Sequence, residues 1–306
     1  MCTSSDRSRP PPAVVVGADG FIGRHLCRAL TDCGTSPLRC TRARPVVERG
    51  GLTRAAAGAE VFFYLASSVD LPSAAREPER GTADVRALEA FLRALGREGG
   101  AGRTVVLASS ATVYAAEEAQ PVAETAPTRP DSVYAATKLA MEERLARAAR
   151  ETGLRGVAVR LANTYGPGQS TRAGHGVIAH WLEAVAAGRP LRLVGSDRAR
   201  RDFVFVQDVV DALVRMARQP VAVELPPVLN VGGGAPVSLR TLLDVVAATS
   251  ATTPRVERRP ARSTDRPSMW LDIDLARTVI SWAPAVTLEQ GIAMTWAGRH
   301  PLRPRS

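Results

Sequence analysis

Ala13-Val14-Val15-Val16-Gly17-Ala18-Asp19-Gly20-Phe21-Ile22-Gly23 decides the fold of this 306-residue chain. The apolar run Ala13 to Val16 reads as a buried strand, the glycines follow at once, and Arg24 to Leu30 reads as a helix. Strand, glycine turn and helix form the context that a dinucleotide site requires. The glycines permit a tight turn and a close approach of backbone to pyrophosphate, and a helix N-terminus favours the negative charge. Gly17, Gly20, Phe21, Ile22 and Gly23 are therefore the expected cofactor-binding residues of the turn. Asp19 is awkward there, because an acid would face the pyrophosphate; it is read as a cap of the following helix.

The next strand is Pro37 to Thr41. An NAD-preferring site wants an acid about 20 residues past the glycines, on the ribose 2′-hydroxyl. No acid lies between Gly34 and Val47; Arg39, Arg42 and Arg44 are there instead. Arginine suits a 2′-phosphate, so NADPH is the expected cofactor and Arg42 the expected contact.

Ala59 to Ala66 reads as another buried strand ending in Ser67-Ser68, Ala83 to Leu95 as a helix, and Arg103 to Ala108 as a strand delivering Ser109 and Ser110. Lys138 to Thr152 is expected to be helical and Gly156 to Leu161 extended. Alternating strands and helices imply an α/β fold with a doubly wound parallel (Rossmann) sheet. Ligands bind outside the carboxyl ends of such strands. That edge would carry the glycine turn, Leu65, Ala66 and Ser67 on the cofactor side, and Ser110.

Beyond Leu161 the pattern loosens. Asn163 to Gly168 reads as a turn-rich loop, Gly174 to Ala187 as a helix, and Arg200 to Val209 as an extended stretch leading into a helix through Met216. Leu229 to Gly234 reads as a short strand and turn, and Leu239 to Ala248 and Leu271 to Ile280 as helices. The expected organisation is a disordered tail over 1–12, a dinucleotide-binding domain over 13–162, and a smaller C-terminal substrate-binding lobe over 163–300 with segments returning to the main sheet.

Lys138 is the only lysine in the chain, four residues after Tyr134. On a helix that spacing puts both on one face. An ammonium beside a phenol favours the phenolate and makes the tyrosine a usable acid/base near neutrality. Arginine, with its bulkier planar fork, is a poor substitute.

Composition sets outer bounds. The chain is 45% hydrophobic, enough for a sizeable core. No apolar run approaches the roughly 18 residues of a membrane helix, and Met1 to Pro12 lacks the apolar core of a secretory signal. Cys2, Cys27, Cys33 and Cys40 fit neither a zinc nor a disulfide pattern, so reduced thiols, no metal and a cytoplasmic location are expected. The net charge of +10 is spread along the chain with only 5% aromatics, which argues against nucleic acid and for a solvated arginine surface with some arginines on ligand phosphates.

Taken together, Gly17/Gly20/Gly23, Ser110, Tyr134/Lys138, Arg160-Leu-Ala-Asn163-Thr-Tyr-Gly-Pro-Gly168, Arg201-Asp202-Phe203-Val204, Asn230-Val231-Gly232 and Arg262-Ser-Thr-Asp265 resemble the extended short-chain dehydrogenase/reductase family. These are the nucleotide-sugar epimerases, dehydratases and ketoreductases. The resemblance implies Tyr134 as acid/base and Lys138 on the nicotinamide ribose, with Ser110 on the sugar oxygen at the reacting carbon. It further implies Thr112 and Asn163 on the sugar nucleotide, Arg201 and Arg262 as a diphosphate clamp, and a homodimer through Ala83 to Leu95 and Lys138 to Thr152. Some positions depart from the family. Ser110-Ala111-Thr112 stands where sugar 4,6-dehydratases carry Thr-Asp-Glu, which argues against dehydration. Phe205 replaces a common histidine and Gln207 a usual aspartate. Two enzymatic readings follow: NADPH-dependent reduction of a nucleotide-linked, dTDP-type 4-keto-6-deoxyhexose at C4, or 4-epimerisation with tightly held NAD, which the Ser109 to Tyr114 segment also resembles. A non-catalytic cofactor-binding protein is the third reading, disfavoured by the presence of both Tyr134 and Lys138.

Overall fold

Six parallel strands carry the site: β1 (Ala13–Val16), β2 (Leu38–Cys40), β3 (Val61–Tyr64), β4 (Thr104–Ser110), β5 (Arg155–Leu161) and β6 (Val228–Val231). Their order across the sheet is β6-β5-β4-β3-β1-β2, and every neighbouring pair is parallel. Because β1 lies between β2 and β3, the winding reverses at its C-terminal end, the switch point where such sheets bind ligands. This computed structural model describes residues 9–69, 76–115, 119–171, 176–261 and 268–299.

The described helices are α1 (Phe21–Asp32), α2 (Pro78–Arg97), α3 (Val133–Thr152), α4 (Val177–Ala186), α5 (Val206–Arg218), α6 (Leu239–Ser250), α7 (Asp274–Ile280) and α8 (Leu288–Ala297). Strand residues alternate between two cores. Val14, Phe62 and Leu107 pack with Leu88 of α2 and Met141 of α3. Val15, Phe63 and Val106 face the other way, with Leu26 of α1 and Leu213 of α5. A third cluster gathers Trp181, Phe203, Phe205, Leu242 and Ile292 beyond the sheet edge.

Several boundaries differ from the sequence reading. α3 begins at Val133, not Lys138, because Ser132 Oγ accepts the Ala135 amide (3.2 Å) and caps it. Asn163–Tyr165 is a strand, not a loop, paired in parallel with Phe203–Phe205. α7 starts at Asp274, after Asp272 Oδ1 has accepted the Asp274 amide (2.9 Å). α8 was not expected, although Thr287 and Gln290 form a capping box at its start. At the other end, Pro10 is buried and the Pro12 carbonyl accepts the Glu60 and Val61 amides, so the inner end of the expected tail packs against the sheet. Among the described residues no helix is long and apolar enough to cross a membrane, and no cluster of three metal-ligating side chains occurs.

Candidate active site

The turn after β1 is shaped by what glycine lacks. Gly17 has φ +88°, and a Cβ there would lie 2.8 Å from the Ala66 amide nitrogen. The turn is thereby pressed against Leu65-Ala66 at the end of β3. A Cβ on Gly23 would overlap the Gly17 carbonyl oxygen. The Gly17 and Ala18 amides donate to the Cys40 carbonyl at 3.0 and 3.1 Å, which fixes the turn to β2. Gly20 is the N-cap of α1, and no side chain caps that end. The amides of Phe21 and Ile22 thus open the helix without a side-chain acceptor, which fits the pyrophosphate of a dinucleotide.

Asp19 does not cap α1. It forms an ion pair with Arg39 of β2, Nη2 to Oδ1 3.0 Å, and this resolves the acid in the turn. Beyond β2 the Thr41 amide donates to the Arg44 carbonyl and the Arg44 amide to the Thr41 carbonyl, closing a tight turn that leaves Arg42 and Arg44 exposed.

Ser110 ends β4, and its Oγ accepts the Thr112 amide (3.3 Å) and hydroxyl (3.0 Å). Thr112 therefore sits on Ser110 itself. The short 3₁₀ turn Ala111–Val113 that follows packs against α3. Tyr134 is in the first turn of α3, and Lys138 Nζ lies 5.8 Å from its ring centroid. Lys138 is only 4% exposed. Its Nζ donates to the Ala108 carbonyl of β4 at 3.1 Å. Burial pushes the ammonium down to about 8, partly offset by the charges of Asp84 and Glu142.

Beneath this edge runs a buried polar network. Ser109 Oγ donates to Glu142, and Glu142 is paired with Arg160, Nη2 to Oε2 2.7 Å. Desolvation pulls the Arg160 guanidinium down, but its hydrogen bonds and charge pairing with Glu142 leave it raised on balance. Arg160 stacks over Tyr114 at 4.5 Å from the ring centroid. The Tyr114 hydroxyl donates to Asn230 Oδ1 at 2.6 Å, and Asn230 Nδ2 reaches the Val122 and Asp272 carbonyls. Glu142 lies four residues after Lys138, and that spacing was the available signal for it. Asp84 of α2 had no local signal. Its carboxylate accepts from Ser67 Oγ (3.1 Å), the Ser68 amide (2.7 Å) and Ser68 Oγ (2.7 Å).

On the opposite side, Asn163 donates through both its backbone amide and Nδ2 to the Asp202 carbonyl, at 3.0 and 2.8 Å. The Asp202 carboxylate is buried, accepts the Gly233 and Leu271 amides, and is pushed up to about 6 by desolvation. Arg201 lies in a two-residue strand between Val237–Ser238 and Ser268–Met269. Arg262 lies outside the described residues. Arg24 donates to the Gly168 carbonyl, and His25 Nε2 lies 3.1 Å from the Pro167 carbonyl oxygen, tying the Asn163–Gly168 stretch to α1. Phe205, where a histidine is common, is buried against Tyr165 in the third core.

Residues 13–232 match the model of the NAD dependent epimerase/dehydratase family. A UDP-glucose 4-epimerase of Mycolicibacterium smegmatis is 34% identical over 237 residues, covering 77% of this chain and 74% of the relative. A dTDP-4-dehydro-6-deoxy-D-allose reductase of a Streptomyces species is 30% identical over 313 residues, covering 92% and 94%. Among solved structures, Thermus thermophilus UDP-glucose 4-epimerase in complex with NAD superposes with a TM-score of 0.81 at 26% identity, over 95% of this chain and 100% of that one. The chain thus belongs to the NAD dependent epimerase/dehydratase family, as an NAD(P)-dependent enzyme of the nucleotide-sugar epimerase, dehydratase and reductase group.

Proposed function

We propose that this enzyme reduces a nucleotide-linked 4-keto-6-deoxyhexose, of the dTDP type, at C4 with NADPH. The observation that carries this reading is the end of β2. It presents Arg42 and Arg44 and no acid, and the one acid of the glycine turn, Asp19, is neutralised by Arg39. That chemistry suits a 2′-phosphate rather than a free 2′-hydroxyl. The reductase relative from Streptomyces, similar over nearly its whole length, supports the reaction class.

A bound nicotinamide dinucleotide supplies hydride to the sugar carbonyl. Ser110, at the C-terminal end of β4, donates a hydrogen bond to the carbonyl oxygen and stabilises the charge that develops there. Tyr134 then delivers its proton to that oxygen. Lys138 keeps the phenol acidic through its ammonium and holds the cofactor ribose. Thr112 sets the orientation of the Ser110 hydroxyl by donating to it. Asn163, Arg201 and Arg262 contact the sugar nucleotide, the two arginines on its diphosphate. Two copies pair through α2 and α3. Cys27, Cys33 and Cys40 form no disulfide among the described residues, which suits a reducing compartment such as the cytosol.

A second reading, 4-epimerisation with retained NAD, is favoured by the similarity to the mycobacterial UDP-glucose 4-epimerase. The cofactor of freshly purified protein separates them. An empty site that binds NADPH much better than NADH, and that oxidises NADPH on adding a dTDP-4-keto-6-deoxyhexose, supports the reductase. NAD that survives dialysis, with no net NADPH consumption, rejects it for the epimerase.

A further inference from the structure

Two carboxylates act by charge on Lys138, Asp84 and Glu142, and Glu142 already has a cationic partner. Glu142, on its own helix, is bound by Arg160 of β5 through Nη2 at 2.7 Å and Nε at 3.1 Å, so that pair is neutral as a unit. From β4 the ammonium meets only the Ala108 carbonyl, and from α3 the Tyr134 ring. The other acid is Asp84, on α2. Among the described residues its partners are two hydroxyls and an amide of Ser67-Ser68, all uncharged. Arg80, one helical turn back, is paired with Glu77 instead.

α2 and α3 come very close at this level. Gly81, three residues before Asp84, has no room for a side chain, because a Cβ there would overlap Thr137 Oγ1. Thr137 immediately precedes Lys138. The glycine lets the two helices approach until the Asp84 turn of α2 stands beside the Lys138 turn of α3.

We infer that Asp84 is a positioning residue with two attachments: it holds the Ser67-Ser68 loop at the end of β3, and it supplies the uncompensated negative charge that faces the buried ammonium of Lys138. A loop that borders the cofactor site and the charge state of the lysine are thereby set by one carboxylate. The direction of its effect agrees: after desolvation, which lowers the Lys138 ammonium, the Asp84 charge is the largest influence raising it, ahead of Glu142. The inference rests on Lys138 acting beside Tyr134, as proposed above.

The test reads Lys138 directly and needs no substrate, so its failure is separate from failure of the proposed reaction. Because the chain has one lysine, protein grown on lysine labelled with ¹³C at Cε gives a single side-chain signal. Its shift is followed against pH in the unmodified chain, in Asp84→Asn and in Asp84→Glu. Asp84→Asn keeps an acceptor for the Ser68 amide and removes the charge. Its Lys138 midpoint falls by about half a pH unit or more, and Asp84→Glu returns it toward the unmodified value. Coincident titrations of Asp84→Asn and the unmodified chain overturn the inference, as does an Asp84→Glu midpoint as low as that of Asp84→Asn. Should Asp84→Asn fail to fold, the unmodified chain labelled at aspartate Cγ still decides. The Asp84 signal then carries a step at the Lys138 midpoint, and a flat Asp84 signal there overturns the inference.

Discussion

Glu142 and Arg160 meet beneath the reactive edge with Nη2 2.7 Å from Oε2, their side chains 7% and 6% exposed. The pair joins α3, which carries Tyr134 and Lys138, to β5. Removing one partner strands the other charge in the core. Arg160→Met is expected to destabilise the fold by about 3–5 kcal/mol in urea unfolding. The double variant Glu142→Gln/Arg160→Met should recover much of that loss. A single variant that unfolds with the unmodified chain would show that water already relieves the buried carboxylate.

Lys138 is expected to be kept at a cost in stability. Its folded-state pKa of about 8 lies below its ordinary 10.5. Between those values the folded chain binds fewer protons than the unfolded one, so stability rises with pH across that window and the cost is full below it. A shift of that size corresponds to about 3 kcal/mol as an upper bound. Lys138→Met should therefore unfold at higher urea than the parent at pH 7, with the gap closing toward pH 10, while losing turnover. Tyr134→Phe should also lower turnover, by roughly 10²–10⁴-fold, yet leave cofactor affinity nearly unchanged. Full activity in Tyr134→Phe would remove that residue from the chemistry.

Asp202 sets a pH dependence at the acid end. Its folded pKa, raised from 3.8 to about 6 by desolvation, means that the folded state holds a proton the unfolded state has released. Stability contributed by this group is present below pH 4 and is lost as pH rises to about 6, about 3 kcal/mol in all. Glu124 and Asp208 are raised in the same direction by burial, so the comparison is with a variant. Asp202→Ala should be less stable throughout, with a flatter profile between pH 4 and 6. An unchanged slope would mean that Asp202 stays ionised in the fold.

The Asp19–Arg39 pair bears on cofactor choice. Asp19→Asn frees Arg39 and removes an acid from the glycine turn, so NADPH should gain over NADH by roughly tenfold, the scale of one exposed charge-assisted contact. Arg42→Ala should shift the ratio the other way. Dissociation constants for both cofactors measure this directly, and an Asp19→Asn ratio equal to that of the parent would exclude the pair from selection.

Most of the sheet was legible because local signals agreed there. Val14 and Val15 face opposite cores, and a strand buried on both faces has to be apolar at every position. The tight glycine turn was legible from the apolar strand before it, and the closeness of Lys138 to Tyr134 from their spacing of four. What escaped was pairing over distance. Nothing local links Asp19 to Arg39, Ser68 to Asp84, or Ser109 to Glu142. The strand Arg200–Arg201 is too short to show any alternation, and its place comes from Val237–Ser238 and Ser268–Met269. Asp19 was misjudged because a short acid before a helix normally caps it, whereas here an arginine on the neighbouring strand binds it first.

α1 has one further consequence. Its N-terminus is the proposed seat of the dinucleotide pyrophosphate, while Arg24 and His25 close by hold the carbonyls of Gly168 and Pro167. Gln207 of α5 reaches His25 Nδ1 at 3.0 Å and ties the same end of α1 to α5. Any tilt of α1 on cofactor entry would be passed through these contacts to Pro167 and Gly168. Because coupling between two binding events is reciprocal, whatever the sugar nucleotide gains from a filled dinucleotide site, the dinucleotide gains from the sugar nucleotide. A dissociation constant for each ligand that tightens by the same factor when the other is present is the form such a shared helix would take.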